Sequence, residues 1–434
     1  MKDLYSLINR RNQLPKGFVY KKTINGKDYF YHQYSLNGQK FTRIVKSEEL
    51  DQLQKDIEER VTLDKEIKEL LKGGKRNITL SFMAKEMTGS VMSENKVVAT
   101  FEKGVLLDYN EALCPLIIKR TKSLEPFLKC RVIDNGRTNS RLLKKALNIN
   151  ERDDTMVSLC SYAASISDNY WFKPKHSKLK YEDVCFNNDL FFDTALKGIM
   201  AIYPNKMVIT PELTTGGGYE KGWKNINGQW WLYKAGTENE IFSELFYAHL
   251  FELLDLPTAH YEYEEGFIKS KNFADGYNFE PIISIAGEDD SYEHVFNVLE
   301  RLNHQIAKDY LRLCFFDVVL NNIDRHNENC GILRDKENGN IISLAPNYDD
   351  NICLISRNDQ LVMDPKEGFL KVFTTLINKN SNIKKALKES NIPVLTTKII
   401  NKCLDDLPIK RDKEMIINYV MLRYETLMKA INAF

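Results

Sequence analysis

Short runs of aromatic and β-branched residues open the chain, broken by Asn25-Gly26 and Asn37-Gly38. Asn-Gly accepts the positive φ angles of tight hairpin turns, so residues 1–46 predict a three-stranded meander. The period then changes from two to 3.6. Ser47 stands as a helix cap before Glu48-Glu49-Leu50, and Leu53, Ile57, Val61 and Leu63 form an apolar stripe that ends at Gly73-Gly74. Residues 76–200 mix both periods, with strands predicted near 78–83 and 96–101 and helices near 123–132, 139–147 and 155–163. Residues 167–172 (Ser-Asp-Asn-Tyr-Trp-Phe) read as a turn anchored by aromatics. From about 201 a Gly-rich turn, strands and one helix precede mostly helical sequence beyond about 290. A strand-rich part followed by a helix-rich part predicts an α+β chain with two unlike lobes and a cleft between them. The expected divisions are 1–75, a meander plus helix; 76–200, a mixed α/β segment; 201–285, a strand-rich lobe; and 286–434, a helical lobe.

Composition narrows the class. The chain has 434 residues, 43% of them hydrophobic and 28% charged, a balance that excludes disorder as the main state. Its net charge of +1 gives no global argument for a nucleic-acid or membrane partner. No stretch approaches the ~20 apolar residues of a membrane span, and the start, Met1-Lys2-Asp3-Leu4, lacks an apolar export core. A cytoplasmic protein without a membrane partner is the expectation. None of the eight cysteines makes a Cys-x-x-Cys pair or a short Cys/His cluster, so they read as free thiols rather than zinc ligands. Charge is nevertheless uneven. Residues 1–46 carry ten Lys and Arg against Asp3 and Asp28, with Tyr29, Phe30, Tyr31, Tyr34 and Phe41 among them. Such a segment can stack bases and neutralise phosphates. The plainer reading packs the aromatics on the following helix and leaves the lysines solvated.

The strongest chemical signal is Asn322-Ile323-Asp324-Arg325-His326-Asn327-Glu328-Asn329, entered from an amphipathic helix predicted over 305–319. Asp324 and Asn329 have the Asp-x-x-x-x-Asn spacing of a kinase catalytic loop. The aspartate suits acceptance of a hydroxyl proton, and the asparagine carbonyl suits a hard divalent ion such as Mg2+. Strands predicted at 331–334 and 341–344 lead to Leu344-Ala345-Pro346-Asn347-Tyr348-Asp349-Asp350-Asn351. Asp349 is the choice for a second metal ligand; Asp350 is the alternative, though a solvated turn acid is its plainer reading. Upstream, Thr214-Thr215-Gly216-Gly217-Gly218 could bring backbone amides and hydroxyls to a phosphate, with Lys221 close behind. This is no Walker A loop. Asn227-Gly228 then turns into a strand, residues 229–236, that carries Lys234. The helix beginning near Glu240 offers Glu244 as the carboxylate to hold that lysine.

At these residues the sequence resembles the HipA-like serine/threonine kinases. The likeness rests on the loop 322–329, on 344–349, and on the helix from Ser243-Glu244 to Leu256-Pro257, and it spans roughly 205–434. It implies a two-lobed kinase fold that binds ATP and Mg2+ between the lobes, with Asp324 as catalytic base and Asn329 and Asp349 as metal ligands. By the same resemblance Lys234 would meet the ATP phosphates, Glu244 would be its ion-pair partner, and Lys221 would also reach a phosphate. The backbone of 271–275 would form the hinge that meets adenine. Some relatives autophosphorylate a hydroxyl in the phosphate loop; this loop has no serine, leaving Thr214 or Thr215 as acceptors.

The expected function is therefore transfer of the ATP γ-phosphate to a Ser or Thr hydroxyl of a protein substrate, in a toxin or effector setting that could include an antitoxin partner. The alternative is a nucleotide-binding pseudokinase whose basic segment recruits protein or nucleic acid.

Overall fold

The computed structural model describes residues 7, 10–11, 13–36, 39–70, 80–199, 209–356 and 361–433. Its first sheet joins β1 (Phe18–Ile24), β2 (Lys27–Leu36) and β3 (Gln39–Val45) as the expected antiparallel meander. Asn25 and Gly26 both take positive φ, 49° and 75°, as a two-residue hairpin turn demands. The pairs Asn37-Gly38 and Gly73-Gly74 lie outside the described residues. Helix α1 (Ser47–Leu70) follows, and its Leu53 and Ile57 pack on Val45, Phe30 and Val19. Ser47 is the first helical residue, and the Glu49 carboxylate accepts the Lys46 amide just before it at 3.0 Å.

The middle segment is built on a sheet ordered β6-β5-β4-β7, from β4 (Gly89–Ser93), β5 (Lys96–Glu102), β6 (Val105–Tyr109) and β7 (Tyr170–Pro174). Short helices at Glu125–Lys129, Thr138–Ala146 and Asp154–Leu159 fall where helical spacing predicts them. Two expectations fail. Of the strand predicted near 78–83, residues 78 and 79 lie outside the described residues. Phe82–Lys85 is instead one helical turn, because the Ser81 hydroxyl accepts the Ala84 amide at 3.2 Å. The aromatic turn at 167–172 is in part β7. Tyr170 and Phe172 face one cluster and Trp171 another, all nearly inaccessible. A strand buried on both faces shows a continuous apolar run rather than alternation, and so resembles an anchored turn in sequence.

Strands β8 (Lys221–Ile226), β9 (Gln229–Lys234), β10 (Tyr261–Glu264) and β11 (Phe267–Lys271) form a third sheet in the order β10-β11-β9-β8. Between β9 and β10 runs α2 (Glu238–Leu253), opened by a capping box of Thr237 and Glu240. A fourth sheet orders β12 (Tyr277–Pro281), β13 (Gly331–Asp335) and β14 (Ile341–Leu344). Around it lie α3 (Tyr292–Leu302), α4 (His304–Val319), α5 (Gly368–Lys379), α6 (Ser381–Glu389), α7 (Thr397–Asp406) and α8 (Lys413–Asn432). Phe246, Leu250, Phe315, Phe316, Ile400 and Leu427 belong to one apolar core joining α2, α4, α7 and α8. The architecture is α+β. All eight cysteines are free, and no described helix is long and apolar enough to cross a membrane.

One buried ion pair ties the middle segment to this core. Arg334 on β13 meets Glu280 on β12 and also donates to the Cys114 carbonyl at 3.1 Å, while Glu280 accepts the Leu116 amide at 2.6 Å. Arg334 is 2% exposed and Glu280 3%. Removing one partner strands a buried charge at a cost of about 3–5 kcal/mol. Arg334→Ala should lower the urea midpoint accordingly, and Arg334→Ala/Glu280→Ala should recover part of the loss.

Candidate active site

Helix α4 starts where the Asn303 side chain accepts the Gln305 and Ile306 amides. It ends by placing Asp317, fully buried, beneath the polar loop 321–329. Arg325 grips Asp317 through two parallel bonds, Nε to Oδ2 and Nη2 to Oδ1, both 2.9 Å. The same guanidinium reaches Asp350 Oδ1 at 2.6 Å, Asn347 Oδ1 at 2.8 Å and the Asn329 carbonyl at 2.6 Å. Asn322 donates to both aspartates at 3.0 Å, and the Tyr247 hydroxyl donates to Asp317 at 2.9 Å. Asp350 is thus no solvated turn acid: it is 0% exposed, and both its oxygens are taken by Arg325, Asn322 and Asn347. Burial pushes its carboxyl up to about 7, with Asp317 adding to the effect and Arg325 opposing it. It is a structural group, and of the two carboxylates Asp349 is the one that lines the cavity described below.

Asp349 takes a left-handed backbone conformation, φ 62°, and points at two lysines. It pairs with Lys234 Nζ, and its Oδ2 lies 3.9 Å from Lys221 Nζ. Lys234 also donates to Glu244 Oε2 at 3.0 Å and Asn351 Oδ1 at 2.9 Å, which uses all its donors. Glu240, nearer the helix start, caps α2 and accepts the Tyr219 hydroxyl at 2.6 Å, so Glu244 is the lysine's partner. Burial would lower the Lys234 pKa, but Asp349 and Glu244 outweigh it and hold the ammonium well above its usual value. Burial raises Asp349, and Lys234 and Lys221 more than reverse that. Lys221 differs. Burial pulls it down to about 8, Asp349 opposing and Lys234 and Arg137 assisting.

The glycine loop is tied down from the middle segment. Arg137, 2% exposed, donates from Nε to the Gly217 carbonyl at 2.6 Å and from Nη2 to the carbonyls of Thr215, at 2.8 Å, and Gly216. Gly217 has φ 86°, and a Cβ there would lie 2.5 Å from Lys221 Nζ. Gly216 meets no such obstacle. The Thr214 and Thr215 hydroxyls both donate to the Pro211 carbonyl, at 3.3 and 2.7 Å, and Thr215 accepts the Trp223 indole N–H at 2.9 Å.

These parts converge on a cavity of about 570 Å3. Asp324, Asn329, Asp349, Lys221 and the loop from Thr214 to Gly218 all line it. Lys234 and Glu244 do not; they stand behind Asp349. Nor does any residue of 271–275, whereas Ile166, Phe279 and Pro281 do. Asn329 Nδ2 donates to the Asp324 carbonyl at 3.0 Å, which holds the two loop residues in one orientation.

No family model matches the chain, and no curated protein matches its sequence. Among solved structures, HipA of Shewanella oneidensis MR-1, from the toxin–antitoxin complex of HipA, HipB and operator DNA, superimposes with a TM-score of 0.51 at 13% identity. That match covers 79% of this chain and 97% of the other. The fold is that of the HipA kinase. The proinflammatory kinase CtkA of Helicobacter pylori also matches, with a TM-score of 0.39 at 18% identity over 48% of this chain and 89% of that one.

Within this HipA-like fold, sequence reasoning missed the contribution of the middle segment. Arg131 and Asp168, a buried pair with bonds of 3.1 and 2.6 Å, line the same cavity. Neither they nor Arg137 sit in a recognisable motif; a lone arginine in a mixed segment carries no local signal. Arg137→Ala should release the three loop carbonyls. Charge-assisted bonds of this kind contribute about 1.5–3 kcal/mol each. Amide exchange across 214–219, read by mass spectrometry, should therefore accelerate at least roughly ten-fold while β9 and α2 stay protected.

Proposed function

We propose that the chain is a two-lobed, ATP-dependent serine/threonine protein kinase, with the four-stranded sheet β8–β11 in one lobe, the helical core in the other, and α2 packed into that core. The observation that carries the reading is the convergence of Asp324, Asn329 and Asp349 on one cavity with the glycine loop and Lys221. Phosphoryl transfer needs positioning and charge neutralisation more than covalent chemistry, and these groups supply both.

The donor set fits Mg2+. Asn329 and Asp349 offer oxygen ligands, and among the described residues no group of three or more His, Cys, Asp and Glu side chains could hold a metal by itself. Magnesium is commonly held by one or two protein oxygens, with phosphate oxygens and water filling its shell. Bound Mg-ATP would bring the electrophilic γ-phosphorus and a cation to spread its charge. Asp324 accepts the proton of the attacking Ser or Thr hydroxyl. Lys221, in the cavity lining, binds phosphate directly. Lys234, fully engaged behind Asp349, fixes that carboxylate while Glu244 balances its charge. The paired buried groups are those a pseudokinase has no need to keep, which favours transfer over nucleotide sensing alone.

A toxin or effector role, with an antitoxin and a protein substrate as partners, belongs to the same proposal; the Shewanella HipA is found with HipB and operator DNA. Thr214 or Thr215 would be the autophosphorylation acceptor, and either must first leave its bond to Pro211.

Intact mass after incubation with Mg-ATP, beside Asp324→Ala, tests the reading. Asp324→Ala should lose transfer by at least roughly a hundred-fold and keep ATP affinity, whereas Asp349→Ala should lose magnesium-dependent ATP binding. An Asp324→Ala protein as active as wild type would sink the assignment. The pH profile gives a second test. Burial lowers the Lys221 ammonium to about 8, so above that pH it must take up a proton to bind phosphate. ATP affinity should fall as pH rises through 8, by up to about ten-fold per unit. Lys221→Arg, which stays charged, should flatten the profile.

A further inference from the structure

The kinase reading leaves the N-terminal meander without a task, although its two faces are sharply unlike. Cross-strand register puts Val19, Phe30 and Val45 on the face that packs against α1. The charges on that face are paired: Lys21 with Asp28 at 2.6 Å, and Arg43 with Glu49 of α1 at 2.8 Å. The opposite face carries Phe18, Tyr20, Tyr29, Tyr31 and Ile44. Four of these are exposed, Phe18 at 53% and Ile44 at 60%. The rings of Tyr20 and Tyr31 stack at 5.4 Å, with Phe18 6.0 Å from Tyr20.

Lys22, Lys27 and Lys40 share this outer face by register, all exposed, and no Asp or Glu stands on it among the described residues. None of the three is ion-paired to a described residue. Leu7 and Leu14 do not cover the face: they pack on Leu63 and Ile67, in the second half of α1. A solvent-facing sheet with stacked aromatics, flanked only by cations, is complementary to a polyanion with exposed π-faces. Unpaired bases meet both conditions, whereas duplex bases hide their faces in the stack.

We propose that the outer face of β1–β3 is a binding surface for single-stranded nucleic acid, with bases on Tyr20, Tyr31 and Phe18 and phosphates on Lys22, Lys27 and Lys40. The surface is separate from the candidate active site, and binding there does not depend on phosphoryl transfer.

The test uses the full-length protein and fluorescence anisotropy with three labelled 20-nucleotide probes of one mixed sequence: single-stranded RNA, single-stranded DNA and duplex DNA. Titrations run from 50 to 300 mM salt. Both single strands should bind more tightly than the duplex, and the RNA and DNA arms show whether the sugar is read. Neutralising three phosphates predicts a slope of log K against log salt near about −2. Lys22→Gln/Lys27→Gln/Lys40→Gln should flatten that slope toward zero. Tyr20→Ala/Tyr31→Ala should weaken binding by roughly ten-fold or more while leaving the slope in place. All of these side chains but the half-buried Tyr31 are exposed, and far-UV circular dichroism checks that each variant stays folded. Asp324→Ala should bind as wild type does. Three outcomes each overturn the proposal: no binding at 50 mM salt, preference for the duplex, or affinity indifferent to both sets of substitutions. A dimer in sedimentation that Tyr20→Ala/Tyr31→Ala dissolves would also overturn it, by assigning the face to a second copy of the chain.

Discussion

Arg325 sets the geometry of the cleft. Its guanidinium is buried between Asp317 at the end of α4 and Asp350 after β14, and it reaches the backbone at Asn329 and Tyr348 as well. One rigid planar cation thus fixes the helix, the loop of Asp324 and Asn329, and the turn that presents Asp349. Lysine could not replace it, since a point charge cannot hold two carboxylates and two carbonyls in defined directions. Two carboxylates against one guanidinium leave an excess negative charge in a dry site. The raised pKa of Asp350 and the donors of Asn322, Asn347 and Tyr247 absorb it. Buried networks of this kind order a site only when every member is satisfied.

The second constraint is how the two lysines divide the work. Lys221 and Lys234 are register partners on β8 and β9, and both point at Asp349. Lys234 pairs with two carboxylates that hold its ammonium well above the usual value, whereas Lys221 shares one carboxylate at longer range and burial lowers it to about 8. The first is a structural cation; the second lines the cavity and is the one the kinase proposal assigns to phosphate. The close approach of Gly217 to Lys221 puts the glycine loop next to that lysine.

What the sequence disclosed follows the range of the interactions. The Asp324–Asn329 spacing, the strand of Lys234 and the hairpin at Asn25-Gly26 are local, and the structure places them as spacing predicts. Glu244, read from the sequence as the partner of Lys234, holds that lysine in the structure, and the capping box claims Glu240 for the helix start. Asp350 was misread because Asp-Asp-Asn looks like a turn, and its partner Arg325 lies 25 residues away on another element. Strand β7 was hidden by burial on both faces. Arg137 reaches 78–80 residues along the chain to hold the glycine loop, and nothing in its neighbourhood announces that reach.

The middle segment is therefore part of the site and not a preface to it. Arg137 holds the loop, Arg131 and Asp168 wall the cavity, and Arg334 with Glu280 locks segment to core, each through a buried guanidinium. The meander uses charge in the opposite way, with exposed lysines on an acid-free face. Salt acts on these two designs unequally. Exposed charges are screened beyond a Debye length of about 8 Å at physiological ionic strength, while buried pairs are little affected. Raising salt should release whatever the meander holds and leave the cleft assembled, so the two surfaces can be addressed separately in one intact chain.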